Sequence, residues 1–474
     1  MVDLTRRQFT GAGVAGMALS GPAARMASAA TGAPPNILVF VADDAGARHF
    51  GCYGNPTIRT PHIDRLAAEG LTFDNAHLTT PQCSPSRISI LTGLYPHATG
   101  AEDLHMPMPK EHEVVPGYLR QQGYFTGMMQ KTHIGPYAEA RFHWYDPELD
   151  GLDRFLDSAK EKPFFMWVAF GDPHRPADPE TGLPTYAKGA VEPPHDPAKV
   201  AVAPYHADTP ETREDIARYY DYIARMDGVI GEQMATLERR GLLDNTLVVF
   251  LSDNGAPFPR EKGALYDGGV KTPLIFRWPS RVPAGRRYGG VASVIDLAPT
   301  FVDLAGMAVP DVMQGQSIKA GLFNPDRLSR AQAFSERNWH DTDEHIRSIR
   351  TERYRLIHNA YVHLPHGSPA DVSESPTWRA LYARKQAGTL TPAQARLFEV
   401  PRPEIEFYDL EADPWEVTNL AGDPAYRALI RDHFAELARW RESTGDFPPH
   451  ERRRAGHTDR VTGVYFGDSI PPQR

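Results

Sequence analysis

The chain alternates between two kinds of hydrophobic pattern. Asn36–Ala42, Phe164–Phe170 and Thr246–Leu251 are unbroken apolar runs, with a further strand-like run from Tyr124 to Met129. Runs of this kind predict central strands covered on both faces. Between them the period changes. Ile216, Tyr220, Ile223, Met226, Ile230, Met234 and Leu237 recur every three or four residues, after a Thr209-Pro210 cap and before Gly241. That spacing predicts one long helix whose apolar stripe is core, not a binding surface. Shorter helices are predicted from Pro61 to Gly70 and from Ala298 to Gly306. Strands alternating with helices, with polar residues gathered after the strand ends, predict an open α/β sheet with its site at the carboxyl edge.

Two regions break this alternation. Residues 177–208 are rich in Pro, Asp and His without periodicity, and predict a long irregular excursion of the sort that often serves function. From about residue 330 the pattern becomes that of a smaller α+β domain. Short strands near Ala331–Ser335, Arg347–Thr351, Tyr354–Ile357 and Glu406–Tyr408 are expected to form an antiparallel sheet. A last helix opens at Asp423-Pro424, with Leu429, Ile430, Phe434, Leu437 and Trp440 inward. The expected division is 33–325 for the large domain, 330–450 for the small one, and 451–474 for a polar, basic tail. No internal repeat is present.

Composition narrows the class. At 474 residues, 41% hydrophobic and 23% charged, the chain has the balance of a soluble globular protein with room for a large and a small domain. No apolar run reaches 18 residues, so no membrane-spanning helix is expected. A net charge of -9 argues against nucleic-acid binding and restricts any anionic ligand to a pocket. Residues 1–30 read as an export signal: Thr5-Arg6-Arg7-Gln8-Phe9 resembles a twin-arginine motif, and Ala27-Ser28-Ala29 offers a cleavage site. The expected location is periplasmic.

The candidate chemistry follows the strands. Asp43-Asp44 ends the first run; the pair reads either as a solvated Asx turn or as adjacent carboxylates held together by a hard divalent cation with oxygen ligands. Lys131 and His133, two apart on an extended segment, face the same way. Asp172, His174 and Arg175 follow the Phe164 run; Asp253 and Asn254 follow the Thr246 run, with Lys262 and the turn Asp267-Gly268-Gly269 after them. Residues 83–93, Cys-Ser-Pro-Ser-Arg-Ile-Ser-Ile-Leu-Thr-Gly, predict a helix that starts just after Cys83, with Pro85 in its first turn and Gly93 as its left-handed terminator. The helix N-terminus favours an anion.

This last stretch resembles the type I sulfatase signature C-x-P-S-R-x-x-x-L-T-G at every fixed position. The likeness extends to Thr60-Pro61-His62-Ile63-Asp64, to Tyr95-Pro96-His97 (with His97 structural), and to Lys131-Thr132-His133-Ile134-Gly135, where Gln130 departs from the usual Gly. It covers nearly all of residues 36–445. It implies an alkaline-phosphatase-like mixed sheet sandwiched by helices, followed by the smaller C-terminal α+β subdomain. It also implies one Ca²⁺ held by Asp43, Asp44, Asp253 and Asn254 beside Cys83. A formylglycine-generating enzyme would convert Cys83 to Cα-formylglycine before folding; a disulfide between Cys83 and Cys52, the other cysteine, is therefore not expected. Arg87 would hold the hydrated aldehyde, and Lys131 and Lys262 the sulfate oxygens. His174 would protonate the leaving group and His133 act as base, two roles that the sequence leaves exchangeable.

Within that family several strings resemble the N-sulfoglucosamine sulfohydrolases (sulfamidases, heparan N-sulfatases): His133-Ile134-Gly135-Pro136, Val168 to Arg175, Ser252 to Pro259 and Tyr354 to Asn359, with Ser368-Pro369, Tyr408-Asp409 and Asp413-Pro414. Lys262 replaces their Arg, and Asp267-Gly268-Gly269 is the general sulfatase form. Asp172, Arg175, His340 and Arg347 are candidate substrate contacts. The expected substrate is a small sulfated sugar or glycosaminoglycan fragment, with N-sulfate and O-sulfate or aryl sulfate both open. A phosphonate or phosphodiester hydrolase on the same scaffold, and a sulfated-glycan binder with unmodified Cys83, are the alternatives; a homodimer is left open.

Overall fold

Twelve strands make two sheets in the computed structural model, which describes residues 34–448. The proposed export signal and the basic tail lie outside these residues. The described residues form one compact unit. The larger sheet contains β1 (Asn36–Ala42), β2 (Leu71–His77), β3 (Phe125–Gln130), β4 (Trp144–Asp146), β5 (Phe164–Ala169), β6 (Thr246–Ser252), β7 (Leu274–Arg277) and β8 (Arg286–Ser293). Their order is β4-β3-β5-β1-β6-β7-β2-β8. Pairing is parallel from β4 through β6 and between β2 and β8; β7 runs antiparallel to both its neighbours.

The unbroken apolar runs are explained by two hydrophobic cores, one on each face. Ile37, Val39 and Val41 of β1 enter one core, together with Ile88, Leu91 and Phe301. Leu38, Phe40 and Ala42 enter the other, against Ile216, Ile223, Met226 and Ile230 of the long helix Pro210–Arg239. Successive strand side chains point to opposite faces, so a strand covered twice must be apolar at every position. Thr209 caps the long helix by accepting from Thr212 N–H, and Gly241 follows it at φ 67°.

That helix is buried well beyond its apolar stripe. Asp215, Asp221 and Asp227 are buried and point to three different elements. Asp221 accepts from His195 Nδ1 at 2.7 Å, and Asp227 accepts from the N–H groups of His62 and Ile63 at the start of the helix Pro61–Ala68. The excursion 177–208 is thereby laid along the long helix, with Tyr186 O–H donating to Pro173 O at 2.7 Å.

The smaller sheet, in the order β12-β11-β10-β9, consists of β9 (Ala333–Arg337), β10 (Ile346–Arg350), β11 (Tyr354–Asn359) and β12 (Ile405–Asp409), all antiparallel. Phe334, Ile349, Leu356 and Phe407 pack against Leu437 and Trp440 of the closing helix Arg427–Thr444. The expected inward Phe434 is instead 36% exposed, lying edge-on to His358, while His433 is buried. The helical period selects positions 433, 437 and 440 as one face, and residue 434 lies about 100° around from 433.

Candidate active site

Four neighbouring parallel strands, β3, β5, β1 and β6, end at one edge of the large sheet and deliver the site. Lys131 and His133 follow β3, His174 follows β5, Asp43 and Asp44 follow β1, and Asp253 and Asn254 follow β6. The helix Cys83–Thr92 brings the remaining side chains. Cys83 is its first residue, not the residue before it, and all ten residues are buried. Gln82 at the N-cap makes no side-chain cap; its amide donates to Trp339 O at 2.8 Å instead. The first N–H groups of this helix therefore face the site without a capping side chain. Gly93 ends the helix at φ 71°, donating to Ser89 O.

The ligand atoms of Asp43, Asp44, Cys83 and Asp253 lie within 4.8 Å of one another, all buried. Cys83 Sγ is 3.5 Å from Asp43 Oδ1 and 3.8 Å from Asp44 Oδ1. Asp44, at φ 71°, donates its N–H to Asp253 Oδ1 at 3.2 Å. Asn254 Nδ2 donates to Asp44 Oδ1 at 2.6 Å, while its Oδ1 is buried with no hydrogen-bond partner. Three carboxylates and one orphaned amide oxygen are a donor set for a hard cation and unlike a sulfur–nitrogen zinc site.

Cations surround this cluster. Arg87 Nε donates to Asp253 Oδ2 at 2.7 Å, and its Nη2 lies 3.8 Å from Asp43 without a hydrogen bond. Lys131 pairs with Asp43. Lys262 bridges Asp44 at 2.8 Å and Asp371 at 2.7 Å. Burial works to raise the Asp43 pKa, but Lys131, His174, Arg87 and Lys262 outweigh it and hold Asp43 well below the usual carboxylate range. Burial and repulsion from Asp43 push Asp253 up to about 6. Burial also raises Cys83 well above the ordinary thiol value, against the opposing pull of Lys262 and Lys131.

Cys83 lines an open cavity of about 550 Å³, and the acids that meet it are buried behind Lys131 and Lys262. The cavity walls include Lys131, His133, His174, Lys262, His340 and Asp371. His174 Nε2 lies 4.0 Å from Asp44 and 3.8 Å from Asp371. Asp371, His105 and Asp341 also line the cavity and carried no signal in the sequence. Asp371 sits in a four-residue helical turn, Ala370–Ser373, too short for a periodic pattern.

Of the four candidate substrate contacts, the structure brings only His340 to the cavity. Asp172 is clamped by Arg225 at 2.8 and 2.7 Å. Arg175 is buried, pairs with Asp215, donates to Pro257 O at 2.9 Å and lies over the Tyr186 ring. Its neighbour His174, whose N–H closes a turn onto Gly171 O at 3.0 Å, faces the cavity. Arg347 is buried against Asp446 at 2.7 and 2.6 Å, and donates to Asn338 Oδ1. The excursion 177–208 supplies none of the cavity's lining. His97 pairs with Glu336 as a structural residue, and neither cysteine is in a disulfide.

Comparisons with known proteins agree with this geometry. Residues 35–148 and 142–307 match the family model described as Sulfatase, and residues 260–392 match the model for the C-terminal region of N-sulphoglucosamine sulphohydrolase. The human N-sulphoglucosamine sulphohydrolase is 32% identical, over 87% of this chain and 91% of that one. An ulvan-active sulfatase of Formosa agariphila is 30% identical, over 87% of this chain and 75% of that one. Among solved structures, an enzyme in complex with its substrate D-glucosamine-2-N,6-O-disulfate aligns with a TM-score of 0.66 at 23% identity. That alignment covers 88% of this chain and 99% of the other.

Proposed function

The chain belongs to the sulfatase family, enzymes that hydrolyse sulfate esters or sulfamates, and from that premise we propose a calcium- and formylglycine-dependent hydrolase acting on the N-sulfate of glucosamine in heparan or heparin fragments. One observation carries the reading: three buried carboxylates gather around Cys83, which lines one cavity together with Lys131, Lys262, His133 and His174. The match to the sulphoglucosamine C-terminal model and the near full-length likeness to the human enzyme support the N-sulfate. The fold neighbour that takes an N,6-O-disulfated glucosamine points to the same class of sugar.

Asp43, Asp44, Asp253 and Asn254 would hold the cation, which supplies Lewis acidity toward a sulfate oxygen. Formylglycine at position 83 would supply a hydroxyl nucleophile. The chain's own side chains do the rest. Lys131 and Lys262 bind and neutralise the sulfate oxygens, and Arg87, with Nη2 unengaged, steadies the nucleophile. His174, beside two carboxylates, gives its proton to the departing nitrogen as the S–N bond breaks. His133, whose pKa is held well below the ordinary histidine value by burial and then by Lys131, His105 and Arg87, is neutral and accepts a proton as sulfate is expelled.

The 25% likeness to an N-acetylglucosamine-6-O-sulfatase of Bacteroides thetaiotaomicron favours a second reading, an O-sulfatase. Sulfate release from N-sulfated, 6-O-sulfated and 2-O-sulfated glucosamine and from aryl sulfates separates the two. Faster O-sulfate turnover sinks the N-sulfate assignment, and a preference for matched phosphonate or phosphate esters sinks both. Mass spectrometry of the peptide containing Cys83 tests the maturation step by the formylglycine-generating enzyme; an unmodified thiol would leave only a sulfated-glycan binder. Export by the twin-arginine route belongs to the same proposal, and a chain retained uncleaved in the cytoplasm would refute it.

A further inference from the structure

His133 reaches the cavity edge in company. Its Nε2 lies 2.7 Å from Nδ1 of His105, with the two ring centroids 4.7 Å apart. Both residues have left-handed backbones without being glycine, His105 at φ 62° and His133 at φ 57°. Such conformations are sparsely populated and persist where the surroundings over-determine them. Here the His105 N–H donates to Ser84 Oγ at 2.9 Å, and the Leu104 N–H donates to Trp339 O at 3.2 Å. The loop carrying His105 is thus pinned to the residue next to Cys83. His133 Nδ1 is buried with no hydrogen-bond partner.

Two imidazoles joined by one hydrogen bond must share a single proton between the bonded nitrogens. If His133 Nε2–H donates, Nδ1 keeps its lone pair; if His105 donates, Nδ1 carries an unsatisfied buried N–H. The groups acting on His133 are Lys131, His105 and Arg87, with Asp43 the one opposing acid. Those acting on His105 are His340, Asp341, Lys131 and Lys262. A lone pair is favoured over an N–H in a neighbourhood dominated by cations. The geometry points to His105 as a positioning residue that accepts from His133 Nε2–H and so holds Nδ1 as the basic nitrogen. For the reaction it serves, this rests on the sulfatase reading above. In that reaction the proton of the hydroxyl at residue 83 passes to Nδ1 as the bond to sulfate breaks and the aldehyde is restored.

The test uses the full chain labelled with ¹⁵N-histidine and two variants chosen for the left-handed backbone. His105→Asn keeps an acceptor oxygen in place of Nδ1, and His105→Gly removes the side chain without adding strain. Long-range ¹H–¹⁵N correlation should show His133 Nδ1 unprotonated in the wild type and in His105→Asn, with protonated Nδ1 appearing in His105→Gly. On the best sulfated substrate, kcat should fall about 10- to 100-fold in His105→Gly, the range for residues that orient a catalytic ligand. It should largely recover in His105→Asn, with KM little changed in either. A protonated Nδ1 in the wild type overturns the inference. So does equal loss of kcat in both variants, or a loss expressed in KM, which would make His105 a sugar contact. A wild type that releases no sulfate while Nδ1 remains unprotonated would instead sink the functional reading and leave the positioning role standing.

Discussion

Asp44 shows how much one side chain is asked to do: it touches Cys83, Asn254 and Lys262, and lies 4.0 Å from His174. Lys262 is held between it and Asp371, so the ammonium reaches the cavity already positioned. Asp371→Asn keeps the shape but removes the outer charge. Steady-state kinetics should show kcat lowered by roughly 10- to 100-fold, whereas Asp172→Asn, which loosens only the half-exposed Arg225 pair, should leave turnover within about twofold and stability within about 1 kcal/mol. Cys83→Ala should bring sulfate release to background while the unfolding midpoint stays near that of the wild type. Activity in that variant would remove residue 83 from the chemistry.

The elements that meet at the site are held by close backbone approach and buried ion pairs. A Cβ on Gly255 would lie 2.0 Å from Gly268 O and 2.6 Å from Gly269 Cα. The Gly255 N–H donates to Gly269 O at 2.9 Å. The loop carrying Asp253 and Asn254 is therefore seated directly on the Asp267-Gly268-Gly269 turn. Gly255→Ala must push them apart, with an overpacking cost of about 1–3 kcal/mol or more, and calcium affinity measured by calorimetry should fall with it. Arg175 joins β5 to the long helix through Asp215, which also accepts from Thr377 Oγ1 at 2.7 Å. Arg175→Met strands a buried carboxylate and should cost about 3–5 kcal/mol in denaturant unfolding. KM of the folded fraction should not change, because Arg175 does not line the cavity.

Across the whole molecule, charge repulsion in the site and neutral buried histidines set the response to metal and pH. On the proposed reading, a cation held by Asp43, Asp44 and Asp253 would stabilise the native state by about 2.7 kcal/mol at a hundredfold excess over Kd. The melting temperature should rise with added calcium, fall with chelator and recover, in Cys83→Ala as well; no shift would refute the ligand set. Burial is the first cause that lowers His77, His133, His206, His345 (to about 2) and His366. Their unfolded forms take up protons near pH 6.5 while the folded ones do not, so their contribution is complete above that pH and is lost as pH falls toward the folded values. Asp227 and Asp253, each raised to about 6, act in the opposite sense between that value and 3.8. The histidines outnumber them, and urea midpoints should decline from pH 7 to pH 5.

Much of this was legible along the chain. An unbroken apolar run such as Asn36–Ala42 has few folded fates, and acids placed after it can reach only the sheet's carboxyl edge. The eleven residues from Cys83 to Gly93 carried the family and the nucleophile's position, because a helix start and its terminator are local events. β2 was not legible: Leu71–His77 contains Thr72, Asp74 and Asn75, and Asn75 is buried only because His77 Nε2 meets it at 2.8 Å. Nor was the sorting of charged residues. Asp172 and Arg175 flank His174 in sequence, yet Arg225 and Asp215, some 40 to 50 positions on, decide that both turn away. Asp371 enters the cavity from a single helical turn and His105 from a loop, neither long enough to carry a period. Local pattern determined the central strands, the Cys83 helix and the acids at the strand ends; tertiary structure alone decided which cations and acids face the cavity, because a charge takes its role from partners that folding brings to it.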